Sequence, residues 1–387
     1  MNKKLLAAAV AGALAMPAIA LAAGSSVTIT GDFKVGVENF SMGNAASTRA
    51  NSSEMRVVDN SSQIHFNVNE DLGGGLAAIG QLDIRPAFNS GAMSAGGNTF
   101  VGLKGNSWGQ VTLGRWDLHY YNTGDTIAAK AGALEAWNVA LMDGAAGGNV
   151  SVANMTRTPN VVRYDSPNWN GFALTAAWSA APIGPTATSN DLGAAVANAT
   201  NRKGNGYVLT PSFTASNWGA GYSYWEAKAD NPGLVNSLAT IGLADQRSDK
   251  LWGYYNFSGF RIALAWDKSR LNDPSAGTEL SNRTSWSIPL SYNVGPHTFY
   301  FTYTKAGNDS TYNNIVGVTE SGAKEIALAY NYDLSKLTSV GITYAKISND
   351  AGAQFNLFTS TALGSADVAA KPGEDPSILQ ATIRQGF

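Results

Sequence analysis

Apolar and polar residues alternate with a period of two along most of the chain from residue 27 onward. In the first stretch, one side of the chain carries Val27, Ile29, Phe33, Val35 and Val37, and the other carries Thr28, Thr30, Asp32, Lys34 and Glu38. The same alternation returns at 64–68, 260–267, 298–304 and 325–332. Because successive side chains of a β-strand point to opposite faces of the sheet, this pattern predicts strands with one apolar face and one wet face.

Short turns alternate with long polar segments between these stretches. The short turns lie at 71–75, 105–109, 167–171, 215–218, 258–259, 294–296 and 333–336. The long segments are 41–60, 88–98, 116–158, 181–205, 229–248, 269–283, 306–322 and 348–375. This arrangement predicts an all-β fold, a 16-stranded antiparallel transmembrane β-barrel. The alternative is a soluble β-sandwich or propeller, in which connections need not alternate in length.

The last residues, SILQATIRQGF, form one more alternating stretch. In this stretch Leu379, Ala381, Ile383 and Phe387 are predicted to face lipid, with the polar residues between them facing the interior. A closed barrel has no free edge, so the final strand pairs with the first. The terminal stretch is therefore predicted to be the closing strand.

The first 22 residues have the features of a secretory signal peptide: Lys3 and Lys4, a short apolar stretch, and Ala20-Leu21-Ala22 before the cleavage point. Residues 23–387 then form the barrel. Charged residues make up only 14% of the chain, the formal net charge is −2, and there is no cysteine. The low, slightly negative charge gives no reason to expect nucleic-acid binding. The absence of cysteine excludes disulfides and thiolate metal sites. No cofactor is predicted.

Three stretches resemble the general diffusion porins of Gram-negative bacteria, in the form common in betaproteobacteria. They are EDLGGGLAAIGQLD at 70–83, TFVGLKGNSWGQVTLGR at 99–115 and PNVVRYDSPNWNGFALTAAW at 159–178, and the terminal Phe387 is a further similarity. The resemblance spans nearly the whole chain after the signal peptide, although 181–283 matches only by pattern.

The resemblance implies a homotrimer of barrels in the outer membrane, in contact with lipid and lipopolysaccharide. It implies a passive pore for small hydrophilic solutes and ions, in which the third long loop, 116–158, folds inward and narrows the channel. It also implies that the outer-membrane assembly machinery recognises Phe387.

In this family, arginines on the barrel wall face carboxylates on the inward loop, and Arg115 and Arg163 match two of the wall arginines. Strand alternation supports an inward Arg163. It places Arg115 on the same face as Val111 and Leu113, so we expect the strand to end or bulge at Gly114 and turn Arg115 inward. Gln63 stands where many family members have a wall arginine, and Asp32 where some have lysine.

Arg85 and Asp83 face the interior by alternation, and Asp125 and Glu135 lie far from the ends of loop 116–158. We therefore expect a constriction formed by Arg115, Arg163, Arg85, Asp83, Asp125 and Glu135. With charges of both signs present, the charge selectivity is predicted to be weak.

Two other functions remain as alternatives. A substrate-specific channel for sugars, phosphate or aromatic solutes would use Trp116, Tyr120, Tyr121 and Trp137 as stacking residues, whereas in a general pore they pack the loop against the wall. A barrel hydrolase would need a serine beside a histidine base. His65, His119 and His297 are far apart and have no metal-binding spacing, so the chain is predicted not to be an enzyme.

Overall fold

The computed structural model describes residues 24–46, 52–133, 137–148, 150–152, 157–180, 182, 204–228, 244–274, 276–357 and 370–387. The predicted signal peptide and Glu135 lie outside these residues. The strands are β1 Ser26–Gly43, β2 Ser53–Asp59, β3 Gln63–Gly73, β4 Leu76–Pro86, β5 Met93–Ser94, β6 Thr99–Gly105, β7 Gly109–Trp116, β8 Gly144–Ala145, β9 Val150–Ser151, β10 Thr158–Asp165, β11 Phe172–Ser179, β12 Asn205–Thr214, β13 Trp218–Lys228, β14 Asp245–Phe257, β15 Phe260–Asn272, β16 Glu279–Val294, β17 His297–Ala306, β18 Ala323–Asp333, β19 Thr338–Asn349 and β20 Asp375–Gly386.

Sixteen of these strands form one closed antiparallel barrel, which confirms the predicted fold. Each barrel strand pairs with the next along the chain, from β3–β4 through β4–β6, β6–β7 and β7–β10 to β19–β20. β1 closes the ring by pairing with β20 on one edge and with β3 on the other. β2 extends the ladder of β3 beyond a break at 60–62, because it pairs with the second half of β1.

The predicted alternation is clearest in β15. Ile262, Leu264 and Trp266 are exposed on the outer face, whereas the residues between them, Ala263, Ala265 and Asp267, are almost fully buried on the inner face. A strand that separates lipid from a packed or water-filled interior has this period of two.

All seven predicted short turns are present at one end of the barrel, and the strands joined by the eight longer connections end at the other. The longer connections contain helix α1, Val139–Met142, a 3-10 turn at Ala146–Gly148, and helix α2, Ser310–Val316. No helix in the described part of the chain is long and apolar enough to cross a membrane.

Several of the predicted long loops are wrong in their bounds; for example, 229–248 ends inside β14, which begins at Asp245, and 88–98 contains β5. The segment 41–60 contains β2, and the segment 269–283 shrinks to 273–278 because β15 and β16 continue into it. In these extensions the outer face carries charged residues such as Lys268 and Arg270. The strand ladder continues beyond the lipid-facing band into water, where both faces are polar and the hydrophobic alternation disappears.

The barrel is closed at Gly31 and Phe387. The two residues exchange both backbone hydrogen bonds, each with a nitrogen to oxygen distance of 3.1 Å. The ring of Phe387 lies 5.0 Å from that of Phe33, centre to centre. A Cβ atom at Gly31 would overlap the backbone carbonyl oxygen of Gln63 and come within 3.0 Å of the Phe387 ring. The closing pair therefore requires glycine on the β1 side.

We expect Gly31→Ala to weaken barrel closure, because the added methyl group meets a fixed backbone oxygen of β3. Overpacking of this kind costs about 1–3 kcal/mol of folding free energy. The measurement is the urea midpoint of unfolding in detergent, followed by the heat-dependent mobility shift of the folded barrel on a gel. Gly253→Ala is the matched control, since the nearest atom to its new Cβ is 3.4 Å away. Equal midpoints for both variants would contradict the closure argument.

Candidate functional site

The third long connection, between β7 and β10, folds into the barrel and lies against the inner wall, as predicted. Its first part runs along β13, β14 and β15. His119 is 1% exposed, and its ring nitrogens lie 2.8 Å from the hydroxyls of Ser223 and Ser248. Burial lowers the pKa of His119, which favours the neutral ring that these two hydroxyls can satisfy.

Tyr120 fixes the same part of the loop to the wall. Its hydroxyl donates to a carboxylate oxygen of Asp267 at 3.2 Å and lies 3.2 Å from the Ser248 and Ser269 hydroxyls. Ser248 also donates a short hydrogen bond to Asp267. The loop is therefore held by a buried polar network whose wall members come from three neighbouring strands, β13, β14 and β15.

An ion pair between Asp125 and Lys250 follows directly along the loop. The Nζ atom of Lys250 lies 3.0 Å from a carboxylate oxygen of Asp125, and both side chains are almost completely buried. The same ammonium donates to the hydroxyl of Thr123 at 2.8 Å. Asp125 was predicted to face the open constriction, but the structure places it behind the loop, where a wall lysine neutralises it.

The middle of the loop crosses to β18 and β19. Lys130 forms an ion pair with Asp333 at 2.9 Å, and the backbone nitrogen of Ala131 donates to the side-chain oxygen of Asn331 at 3.0 Å. A Cβ atom on Gly341 would overlap the carbonyl oxygen of Ala131, so glycine permits the loop backbone to approach the β19 backbone. Residues 126–130 of the loop are half-buried.

Arg283 of β16 secures the last part of the loop. Its guanidinium donates to the carbonyl oxygens of Leu141 and Met142 at 2.6 and 3.0 Å, at the end of α1. The carbonyl groups at a helix C-terminus carry partial negative charge, so this cation is favourably placed. Its guanidinium carbon also lies 5.3 Å from the centre of the Phe355 ring.

Arg163 points inward, as strand alternation predicts, and is bound on several sides. It forms a forked pair with Asp165 at 2.8–3.0 Å and donates to the carbonyl oxygen of Asp117 and the side chain of Asn122. Its guanidinium carbon lies 4.3 Å from the centre of the Trp116 ring, which stacks on Phe100. The structure thus places Arg163 where it holds the start of the loop.

Arg115 is the penultimate residue of β7 and pairs with Thr99, and its Nε atom is buried. The pairing of β7 with β6 continues without a break through Gly114. The expected irregularity lies instead in the opposite strand, β10, between Thr158 and Val161. The prediction that β7 ends or bulges at Gly114 is therefore wrong, because the bulge lies in β10 and not in β7.

The structure brings Asp83 and Arg85 together on the wall opposite the loop. Their nearest side-chain atoms are 2.6 Å apart, and the Nε2 atom of His65 lies 3.3 Å from the same carboxylate. Arg85 also donates to the hydroxyl of Ser61 at 2.6 Å, in the break between β2 and β3. In this cluster the carboxylate is 1% exposed, while the arginine is 18% and the histidine 23% exposed.

The same arrangement continues on the neighbouring strands. Arg384 of β20 lies 2.9 Å from Asp32 of β1 and is again the more exposed partner. Lys34 stands between these pairs, and its ammonium group interacts with the charges of Asp32, Arg85 and Arg384. We call Lys34, His65, Arg85 and Arg384 the basic wall patch. It covers β20, β1, β3 and β4, whereas the loop contacts β10 and β13 to β19, so the passage runs between them.

Sequence reasoning missed Lys250, Arg283, Lys34 and Arg384 as functional residues. Alternation placed Lys34 and Arg384 on the inner face, which is a signal that could have found them. Lys250 and Arg283 gave no such signal, because their roles depend on contacts with residues more than a hundred positions away.

The predicted aromatic stacking residues are used in packing. Trp116 stacks on Phe100, Tyr120 is 2% exposed, and Tyr121 and Trp137 contact each other with ring centres 5.5 Å apart. The buried Ser248, His119 and Asp267 beside Tyr120 do not have the arrangement that nucleophilic catalysis requires. Asp267 accepts from Ser248 itself rather than orienting the histidine, and no solvent reaches the group. Among the described residues, no three metal-binding side chains form a cluster.

Residues 7–352 match a family model described as Gram-negative porin. The chain is similar to the major outer membrane protein P.IB of Neisseria gonorrhoeae, with 25% identity over 370 residues that cover 91% of this chain and 97% of the relative. Its fold is similar to that of the anion-selective porin from Comamonas acidovorans, with a TM-score of 0.71, 20% identity, and 94% and 100% of the two chains covered. The trimer form of OmpT, an outer membrane protein of Vibrio cholerae, matches with a TM-score of 0.62 at 13% identity, covering 94% of this chain and 100% of that one.

We expect Lys250→Met to release the first part of the loop, because it leaves the Asp125 carboxylate buried without a counter-charge. Removing one partner of a buried ion pair costs about 3–5 kcal/mol. Single-channel recordings should then show larger and noisier conductance steps than those of the wild type. The double variant Lys250→Met/Asp125→Leu removes both charges and should return the conductance towards the wild-type value. Wild-type traces from the single variant would show that the ion pair does not hold the loop.

Proposed function

The chain belongs to the Gram-negative porin family and forms a passive diffusion pore for small hydrophilic solutes in the outer membrane, and we propose that this pore weakly prefers anions. The observation that carries this proposal is the basic wall patch. In its ion pairs the basic groups are the members closer to the passage, and the carboxylates of Asp32 and Asp83 lie beneath them. Ions in the passage therefore lie nearer to positive than to negative charge.

The preference is weak because the formal charges balance and water screens them. Fields from the wall decay over about 8 Å at physiological salt, which is comparable with the width of such a passage. On the other side, Lys130 and Asp333 are about equally exposed and cancel each other. Arg261 is a further cation. Among the described residues it forms no ion pair, and it donates to the carbonyl oxygen of Gly124. Arg115 and Glu135 remain proposed contributors to the constriction, as predicted from the sequence.

We propose a homotrimer that associates through the outer face of β1, β2 and the connection 87–98. Phe88 of this connection packs on Phe33, with ring centres 4.8 Å apart, so the connection bends over the outside of the barrel. Met55, Phe88 and Met93 are at least half exposed there, together with Val57 of β2. The trimer form of the similar Vibrio cholerae protein supports the same assembly.

The predicted recognition of Phe387 by the outer-membrane assembly machinery is also part of this proposal. Phe387 is 44% exposed at the end of the closing strand. The chain end is therefore accessible to another protein after the barrel has closed.

We expect the double variant Arg85→Gln/Arg384→Gln to shift the reversal potential in a KCl gradient towards potassium. Removing a lumenal charge changes the local potential enough to alter the chloride to potassium permeability ratio roughly twofold per site. Lys305→Gln/Lys324→Gln is the matched control, because it removes two exposed charges from the outer face. An unchanged ratio in the first variant, or an equal shift in the control, would refute the proposed anion preference.

We expect Met55→Arg/Met93→Arg to convert trimers into monomers without unfolding the barrel, since it places charges on the proposed contact surface. The readout is the mass of the protein in detergent by light scattering, with folding checked by the strand signal in circular dichroism. Leu334→Arg is the control, because Leu334 is 58% exposed in a short turn at the other end. Intact trimers in the double variant would place the interface elsewhere.

A further inference from the structure

A cavity of about 360 Å³ lies at the short-turn end of the barrel, between β14, β15 and β16. Asn256, Arg261, Ser291 and Asn293 line it from the inner face, and the turn at 258–259 forms one edge. Its volume is near the lower end of the range for small-molecule sites, about 300–1,000 Å³. Short turns of outer-membrane barrels lie on the periplasmic side, so the cavity is at the exit of the passage. We call it the exit cavity.

Three of the lining side chains stand in one row across the sheet. Arg261 pairs with Asn256 of β14 and with Ser291 of β16 in the strand register. Side chains directly opposite each other in an antiparallel pair have Cβ atoms about 5 Å apart. Asn293 lies one row nearer the turn, and its amide oxygen accepts from the hydroxyl of Thr298 at 2.8 Å. The amide nitrogen of Asn293 is therefore the group that can donate to a ligand.

The guanidinium of Arg261 is fixed in position. Its carbon atom lies 3.7 Å from the centre of the Tyr254 ring, and its Nη2 atom donates to the carbonyl oxygen of Gly124 at 2.6 Å. Its Nη1 atom donates to the side-chain oxygen of Asn256 at 3.3 Å. These two hydrogen bonds use two of the five N–H donors that an arginine carries. The other N–H groups remain available to a ligand.

The exit cavity carries one positive charge that its own lining does not balance. Among the described residues that line it, Arg261 is the only ionisable side chain. Other inner cations have carboxylate partners at 2.6–3.0 Å, as Lys250, Arg163 and Arg85 do. A partly buried guanidinium is more favourable when an anion accepts its hydrogen bonds. The single charge of the cavity matches a singly charged anion.

The chemistry of the lining favours a carboxylate that carries hydroxyl groups. A guanidinium presents a planar fork of N–H groups that fits the two oxygens of a carboxylate. Around it, the amides of Asn256 and Asn293 and the hydroxyls of Ser258 and Ser291 can donate and accept, as sugar hydroxyls require. By strand alternation, the rings of the two phenylalanines at this turn point to the outer face. The cavity is therefore suited to a hydrophilic solute.

We propose that the exit cavity binds sugar acids, which are polyhydroxylated solutes with one carboxylate, through the guanidinium of Arg261. This inference rests on the proposed anion preference of the pore and adds a binding site and a solute class to it. Because Arg261 also donates to Gly124, the cavity lies directly beside the inward loop. A solute that has passed the loop meets this site next. Weak binding there makes the flux of sugar acids saturable while still permitting their release.

The test is the blockage of single-channel current by gluconate in planar bilayers. The wild type should show blockages whose occupancy saturates with gluconate concentration, and glucose at the same concentrations should cause none. Ser291→Asp places a carboxylate opposite Arg261 and should weaken the apparent gluconate affinity roughly tenfold or more, because like charges a few ångströms apart repel. It does not remove the group that binds Gly124 of the loop. Ser107→Asp is the matched control, since Ser107 is exposed in another short turn at the same end.

Arg261→Lys separates recognition of the carboxylate from the effect of charge alone. It keeps the positive charge but removes the fork, so the gluconate affinity should fall about tenfold with the loss of one charge-assisted hydrogen bond. Wild-type affinity in Ser291→Asp, or an equal loss in Ser107→Asp, would overturn the site. Equal blockage by sulfate would show that the cavity recognises charge alone and would also overturn it. The reversal potential in a KCl gradient without gluconate reports on the anion preference separately, so a pore that keeps this preference but is not blocked refutes only the exit cavity.

Discussion

The structure depends on one constraint: inside a bilayer, every backbone N–H and C=O group must find its partner within the protein. A closed ladder of sixteen strands satisfies this constraint without leaving an edge. The closing pair of Gly31 and Phe387 is one consequence, because each residue satisfies the backbone N–H and C=O groups of the other. The composition follows as well, since a ladder with lipid on one side and polar groups on the other needs alternation and few charges.

The break between β2 and β3 shows how the ladder tolerates an interruption. At this point β1 has lost its regular partner, but the backbone nitrogen of Lys34 donates to the Ser62 hydroxyl at 2.9 Å and its carbonyl accepts from the Asn60 nitrogen at 2.9 Å. The polar groups of β1 remain satisfied, and the freed Ser61 turns its hydroxyl towards Arg85. Residues 60–62 therefore satisfy the backbone of β1 at the break, and they help to position the basic wall patch.

The inserted loop obeys the same constraint within the barrel. Its backbone carbonyls and buried side chains must be matched by the wall, and the inner face supplies small hydroxyls and a few cations for this purpose. Ser223, Ser248 and Lys250 hold the first part of the loop, and Arg283 holds the last. As a result, several charges on the inner face are paired with groups of the loop. The charges that remain near the passage are mostly those of the opposite wall.

The sequence by itself determined the architecture: the number of barrel strands, their alternation, the short turns, the inward direction of Arg163 and the identity of the closing strand. These features follow from a period of two and from turn chemistry, which are local properties of the chain. Strand ends beyond the membrane were missed, as for β15, because both faces are wet there.

Only the tertiary structure decided the partners of the charges. Asp125 is paired with Lys250, and Asp83 lies beneath Arg85 and His65, although nothing in their local sequence shows this. Whether a carboxylate faces the passage or a buried cation depends on contacts between residues far apart in the chain, and the energy of a charge depends on those contacts and on its exposure to water.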